Sequence, residues 1–298
     1  MRTADAHLPW GGTARGPWAL EVTPERAGWT YAGLRVLTLP ADGEVSFATG
    51  DEEMLVLPLA GAGTVRCDGV LFTLTGRPSV FAAVTDFAYL PRDATVTIRG
   101  EGRFALPSAR ATRRLPPRYG AARDVPVELR GAGPASRQLN NFCAPEAFDC
   151  DRLVAVEVLT PGGNWSSYPP HKHEEDRTHH DGRVEAALEE IYHFEVAGGA
   201  PGAGPVGYQR VYGTVDRPID VLAEVRTGDT VLVPYGYHGP SMAAPGYDLY
   251  YLNVLAGPGA ARSMACVDDP RHGWIRAGWT DQPVDPRLPL TGPTTREA

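Results

Sequence analysis

The sequence predicts an all-β protein built in two turn-rich halves, on three observations. First, 34 Gly and 28 Pro stand among 298 residues, more punctuation than a helix bundle tolerates. Second, residues 18–106 break into short apolar or alternating runs with turn signals between them, as antiparallel strands do. Third, the pattern restarts after a polar stretch, so the strand-rich unit occurs twice. With 43% hydrophobic and 21% charged residues, the chain can offset the entropy of folding.

In the first half, LRVLTLP, EVSFAT, EMLVLPLAGAG, TVRCDGVLFTL, SVFAAV, FAYLP, ATVTIRG and GRFALP each read as a strand. Residues 107–140 turn to Arg, Pro, Gly and Ala with little periodicity and read as the connection, which sets domains at 1–135 and 136–298. The second half then runs RLVAVEVLTPGGNW, LEEIYHFEV, GYQRVYG, IDVLAEVRTGDTVLVPYGYHG and YDLYYLNVLAGP. From Asp268 onward the chain reads as a Pro-rich tail wrapping a surface.

Charge and composition exclude several classes of function. A net charge of −8 without a concentrated basic patch argues against nucleic acid as a partner. No apolar run reaches the ~18 residues of a membrane span, and MRTADAHLPWGG lacks the plan of a secretory signal, so the expected location is cytoplasmic. Cys67, Cys143, Cys150 and Cys266 match no metal knuckle and read as reduced, buried thiols.

The chemistry concentrates in the second half. His171 and His173 form a His-x-His pair, which on a strand puts both rings on one face. In LEEIYHFEV, alternation sets Glu190, Tyr192, Phe194 and Val196 on one face and Glu189, Ile191, His193 and Glu195 on the other. The first set is a carboxylate followed by largely apolar groups, so Glu190 is the inward acid and Glu189 is expected in solvent. A third imidazole, His238, ends the turn of GDTVLVPYGYH. Three imidazoles and one carboxylate suit a divalent transition metal, Zn favoured among Zn, Mn, Fe, Co and Ni. His179 and His180 lie in a polar insertion and are expected to be solvated, and His272 falls in the tail.

GGNWSSYPPHKH with the later EEIYHF resembles the first cupin motif, and GDTVLVPYGYH resembles the second, Gly-x5-Pro-x-Gly-x-His. The acid stands farther from His-x-His than the cupin pattern has it, because EEDRTHHDGRVEAAL intervenes. Over residues 155–276 the chain is similar to the 5-deoxy-glucuronate isomerase family of inositol catabolism. The resemblance implies a bicupin, two jelly-roll barrels, that converts 5-deoxy-D-glucuronate into its 2-keto isomer. It also implies a sugar acid as partner and association of copies into an oligomer. The first half shows PRDATV where the second has PYGYH and carries no imidazole in its strands, so it is expected to be structural.

An aldose–ketose isomerisation moves a proton from C2 to C1 and another between the two oxygens. Tyr192, Tyr251 and a metal-bound hydroxide are the candidate shuttles. The substrate's carboxylate calls for a guanidinium or ammonium, for which Arg210 is the first choice and Lys172 the second. Asn253 shares the face of Tyr251, whereas Gln209 joins the binding set beside Arg210 only if a bulge intervenes. The competing readings are a ketol-isomerase for a pectin-derived deoxy-uronate, a cupin dioxygenase and a non-catalytic sugar binder.

Overall fold

Antiparallel ladders carry almost the whole fold in the computed structural model, which describes residues 2–292. The first half is one sheet bent on itself, ordered Trp18–Val22, Ala32–Ala48, Thr95–Arg110, Glu52–Cys67, Phe87–Leu90 and Arg118–Gly120. Val70–Arg77 adds beside Glu52–Cys67. Strands of this length close a barrel only by bending. The bend falls where Gly61 and Gly102 face each other, at φ +96° and +127°. A Cβ on Gly61 would lie 2.0 Å from the Glu101 carbonyl oxygen, so no larger residue fits there. Leu37, Met54, Val56, Ile98, Phe104 and Leu106 fill the interior.

The second half is two sheets face to face. One runs His7–Leu8, Thr230–Val233, Glu189–Gly198, Tyr247–Ala256, Val154–Thr160, Arg137–Asn140 and Val127–Arg130. The other runs Asp220–Val225, Gly207–Tyr212, Tyr237–Ala243, His171–Lys172 and Val267–Asp268. Alternation along Glu189–Gly198 is as expected: Tyr192, Phe194 and Val196 pack inside this barrel, while Ile191 packs with Leu34, Leu55 and Leu57 of the first half. The described residues therefore form three apolar cores, one inside each barrel and one between them.

Strand pairing crosses the expected division at residue 135 twice. His7 pairs with Val231, so the start of the chain joins the second half's sheet. The stretch read as a connection contains two strands of that sheet, with Leu129 opposite Gln138 and Leu139 opposite Val158. VELR alternates with period two, but both strands span only four residues and three of the four in RQLN are polar, which hid the pattern. The tail does run over a surface as far as it is described. Thr291 N–H donates to Gln138 Oε1, and the Gly292 carbonyl accepts from Val84 N–H in the first half. Residues 293–298 of the expected tail lie outside the described residues.

Reciprocal carboxylate clamps join the halves. Glu189 is not solvated: its oxygens accept from the backbone N–H groups of Thr30, Tyr31 and Ala32 at 2.7, 2.6 and 2.8 Å. Conversely, Glu53 accepts from Asp151, Arg152 and Leu153 at 2.8, 2.5 and 2.7 Å. The first half covers the back of the Glu189 strand, which periodicity within that strand does not reveal. Arg77 of the first half is also ion-paired with Glu157 of the second, both side chains fully buried. Tyr250 and Asn140 donate to the same carboxylate.

Candidate metal centre

The inner face of the seven-stranded sheet presents Glu190 and Tyr192, with Asn253 directly across from Tyr192. The facing sheet supplies the imidazoles, since His171 and His238 are cross-strand partners and His173 follows two residues later. Gly239 sets the spacing on that side: at φ +85°, a Cβ there would lie 1.8 Å from the Ser167 carbonyl oxygen. Ser167 itself sits at φ +49°, a left-handed conformation that costs a non-glycine residue about 1–2 kcal/mol.

The hydrogen bonds settle which nitrogen of His238 faces inward. Its Nδ1 lies 3.1 Å from the Gly236 carbonyl oxygen, which can only accept, so Nδ1 carries the proton and Nε2 presents a lone pair. That Nε2 is buried and makes no hydrogen bond, although Glu190 Oε2 is 2.9 Å away. His173 Nε2 also lies 2.9 Å from Glu190 Oε2. Donor atoms of His173, Glu190 and His238 all fall within 4.8 Å of one another, and all three residues are buried. His238 Nε2 and Glu190 Oε2 thus face each other with no proton between them, which is what a cation satisfies, and nitrogen with carboxylate oxygen is a borderline donor set.

His171 lines the same cavity, its ring 4.6 Å from that of His238, but it stands outside the tight trio. Its Nδ1 donates to the Pro169 carbonyl at 3.2 Å, which frees Nε2. Burial and the neighbouring imidazoles of His238 and His173 hold His171 well below its ordinary pKa. Burial alone would raise the Glu190 carboxyl, yet His238 and His173 outweigh it and hold it well below the carboxylate range.

Beside the trio lies a cavity of about 220 Å³, with His171, His173 and Glu190 on its wall and His238 behind them. Tyr192 and Tyr251 both line it, and both hydroxyls share the Ser167 hydroxyl at 3.1 and 3.0 Å. Burial raises both phenols above their ordinary pKa, so they remain O–H donors at neutral pH. Asn253 Nδ2 donates to Glu190 Oε1, which leaves Oε2 facing the imidazoles. Asn253→Ala should therefore weaken metal affinity about 10- to 100-fold, read by chelator competition; unchanged affinity would show that Glu190 is oriented without it.

Three residues expected to bind substrate lie outside the cavity. Arg210 pairs at 2.6 Å with Asp220, whose side chain is 81% exposed, and so faces solvent. A bulge does fall between Gln209 and Val211, but Gln209 turns to the buried Ser241 hydroxyl. Lys172 alternates away from its two histidine neighbours and is held by Glu174. His179, expected in solvent, bonds Glu185 at 2.8 Å. His193 faces the other half, bonded to Thr230, and burial with the nearby Arg103 holds its pKa down to about 3. The cavity's own cations are Arg130, Arg137 and Arg276, none singled out from the sequence. The available signal was the alternation in RQLN, which sets Arg137 and Leu139 on one face.

Known proteins agree with this architecture. The KduI/IolB family matches residues 9–275, so the likeness seen in 155–276 extends through the first half. The chain is 39% identical over 262 residues to the 5-deoxy-glucuronate isomerase of Geobacillus kaustophilus, covering 86% of this chain and 90% of that one. To the enzyme of the same name from Bacillus subtilis strain 168 it is 37% identical over 259 residues, covering 86% and 91%. Among solved structures, an IolB-like protein from Salmonella typhimurium LT2 superposes with a TM-score of 0.80 at 32% identity, over 91% of this chain and 98% of that one. An oxalate decarboxylase from Lactobacillus farciminis, at TM-score 0.57 and 12% identity over 83% and 82%, shares the fold alone. Among the described residues no helix is long and apolar enough to cross a membrane. On family match, sequence identity and fold together, the chain belongs to the KduI/IolB family.

Proposed function

We propose that the chain is a metal-dependent aldose–ketose isomerase, converting 5-deoxy-D-glucuronate into 5-dehydro-2-deoxy-D-gluconate in the cytoplasm as a step of myo-inositol catabolism. One observation carries the reading: the donor atoms of His173, Glu190 and His238 converge, and His173 and Glu190 open onto a cavity lined by hydroxyl groups. They do so in a chain up to 39% identical to enzymes named for this activity. Four cysteines without a disulfide suit a reducing compartment.

His173, Glu190 and His238 would hold the metal, with His171 completing the set, and this mix of nitrogen and oxygen favours Zn. When bound, a divalent metal supplies Lewis-acid polarisation of the substrate's carbonyl and adjacent hydroxyl. Asn253 keeps the Glu190 carboxylate turned toward the imidazoles. Tyr192 and Tyr251, protonated and tied through Ser167, hold a proton at the substrate's oxygens and pass it between them along the shared hydroxyl. Leu139, Val156 and Leu255 wall the cavity and keep bulk water from the reacting carbons.

A substrate panel tests the reading. The expected kcat/KM for 5-deoxy-glucuronate exceeds that for the pectin-derived deoxy-hexosulose uronate by at least ~10-fold. Equal or faster turnover of the latter, or oxygen uptake with a phenolic or thiol substrate, would overturn it.

A further inference from the structure

Three guanidinium groups line the metal-site cavity, and two are already neutralised. Arg130 bonds Glu128 at 2.7 and 2.8 Å, and Arg276 bonds Asp268 at 2.8 and 2.6 Å. Arg137 differs. It is 5% exposed, and among the described residues no carboxylate pairs with it. Only Nη1 is engaged, by the carbonyls of Ala135 at 2.9 Å and Tyr168 at 3.4 Å, while the Trp279 ring lies 5.4 Å from Cζ. Burying a cation without a counter-charge costs several kcal/mol, and two neutral carbonyls offset that only in part. Burial accordingly pulls its pKa down to about 10. Glu190, the only carboxylate among the described residues of the cavity wall, is occupied by the imidazoles and Asn253.

The cavity is thus polarised, with the candidate metal ligands at one place and an unneutralised fork at another. Leu139, two residues along the same strand face, and its cross-strand partner Val158 lie between polar groups as an apolar wall. A molecule that fits has oxygens at one end, a carboxylate at the other and a bare carbon beside that carboxylate.

We propose that Arg137 is the anchor for the substrate's carboxylate, through a two-pronged contact from the inner face of Arg137–Asn140, and that it makes the site selective for uronates over neutral aldoses. The assignment rests on the isomerase reading above and deepens it. Arg137 is a specificity residue, since the carboxylate it grips is remote from the carbons that react.

The test compares 5-deoxy-glucuronate with 5-deoxy-glucose, the same aldose carrying CH2OH in place of the carboxylate, on metal-loaded wild type, R137M and R137K. Wild type should favour the acid, and R137M should lose about 100-fold in kcat/KM for the acid, mostly through KM, while the neutral sugar changes less than about threefold. R137K keeps the charge without the fork and should lie between them, about 10-fold down on the acid. Metal content should match wild type in both variants. Undiminished preference for the acid in R137M, or equal loss on both sugars, would overturn the proposal. A second readout needs no turnover: calorimetric binding of the acid reduced at C1 should weaken about 10-fold in R137K, and unchanged binding there would overturn it even if R137M does not fold. A wild type that isomerises neither sugar would refute the isomerase reading instead, and the binding measurement would still decide for or against Arg137.

Discussion

His238→Ala leaves the protein without its metal and lowers isomerase turnover by about 10³-fold, roughly 4 kcal/mol of transition-state stabilisation. The expectation follows from the way the ring is aimed. The Gly236 carbonyl fixes the proton on Nδ1, and the free Nε2 is buried against Glu190 with no hydrogen bond of its own. Alanine removes one of three converging donors and leaves His173 and Glu190 to share a proton, which they can do at 2.9 Å. The fold should survive, because the ring faces Glu190 rather than the core between the barrels. Elemental analysis of His173→Ala and His238→Ala reads the outcome, and full metal retention in both would remove the site.

The second large effect is on stability. Arg77→Ala should lower unfolding free energy by about 3–5 kcal/mol, since it strands the Glu157 carboxylate in the core. For a chain of this size that corresponds to a melting temperature lower by on the order of 10 °C. Arg77 also donates to the carbonyls of Pro58 and Ala83, so the substitution leaves those acceptors without a partner too. An Arg77→Met, Glu157→Leu double variant should recover part of the loss, because two apolar side chains leave no unpaired ion although Tyr250 and Asn140 lose their acceptor. Thermal unfolding of the two proteins checks this. A single variant that melts within 2 °C of wild type would show that water reaches the pair.

Much of the site was legible because metal chemistry leaves local marks. His-x-His, an acid opening an inward-facing strand and a Gly-x5-Pro-x-Gly-x-His turn each specify where a side chain must point. The structure brings His173, Glu190 and His238 together, with His171 beside them. What stayed hidden depends on contacts between distant segments. Glu189 looks like a solvent-facing acid within its own strand, yet it grips three amides at residues 30–32. Arg210 has the residue type that a carboxylate needs, but its strand turns it outward to Asp220. Arg137 has the right type and the right face, and it was lost because RQLN is four residues long and follows a Pro/Gly/Arg stretch without period. The join between the halves was invisible because it too depends on distant segments, as His7–Leu8 reaches the second half's sheet only through tertiary pairing.

The most direct measurement of the central claim is an NMR time course of 5-deoxy-glucuronate with metal-loaded protein and with the same protein after chelator treatment and dialysis. The account predicts that ketose signals grow with the loaded protein, are absent with the stripped protein and return when the divalent metal is restored. Equal rates before and after stripping, or no ketose from the loaded protein, would contradict it.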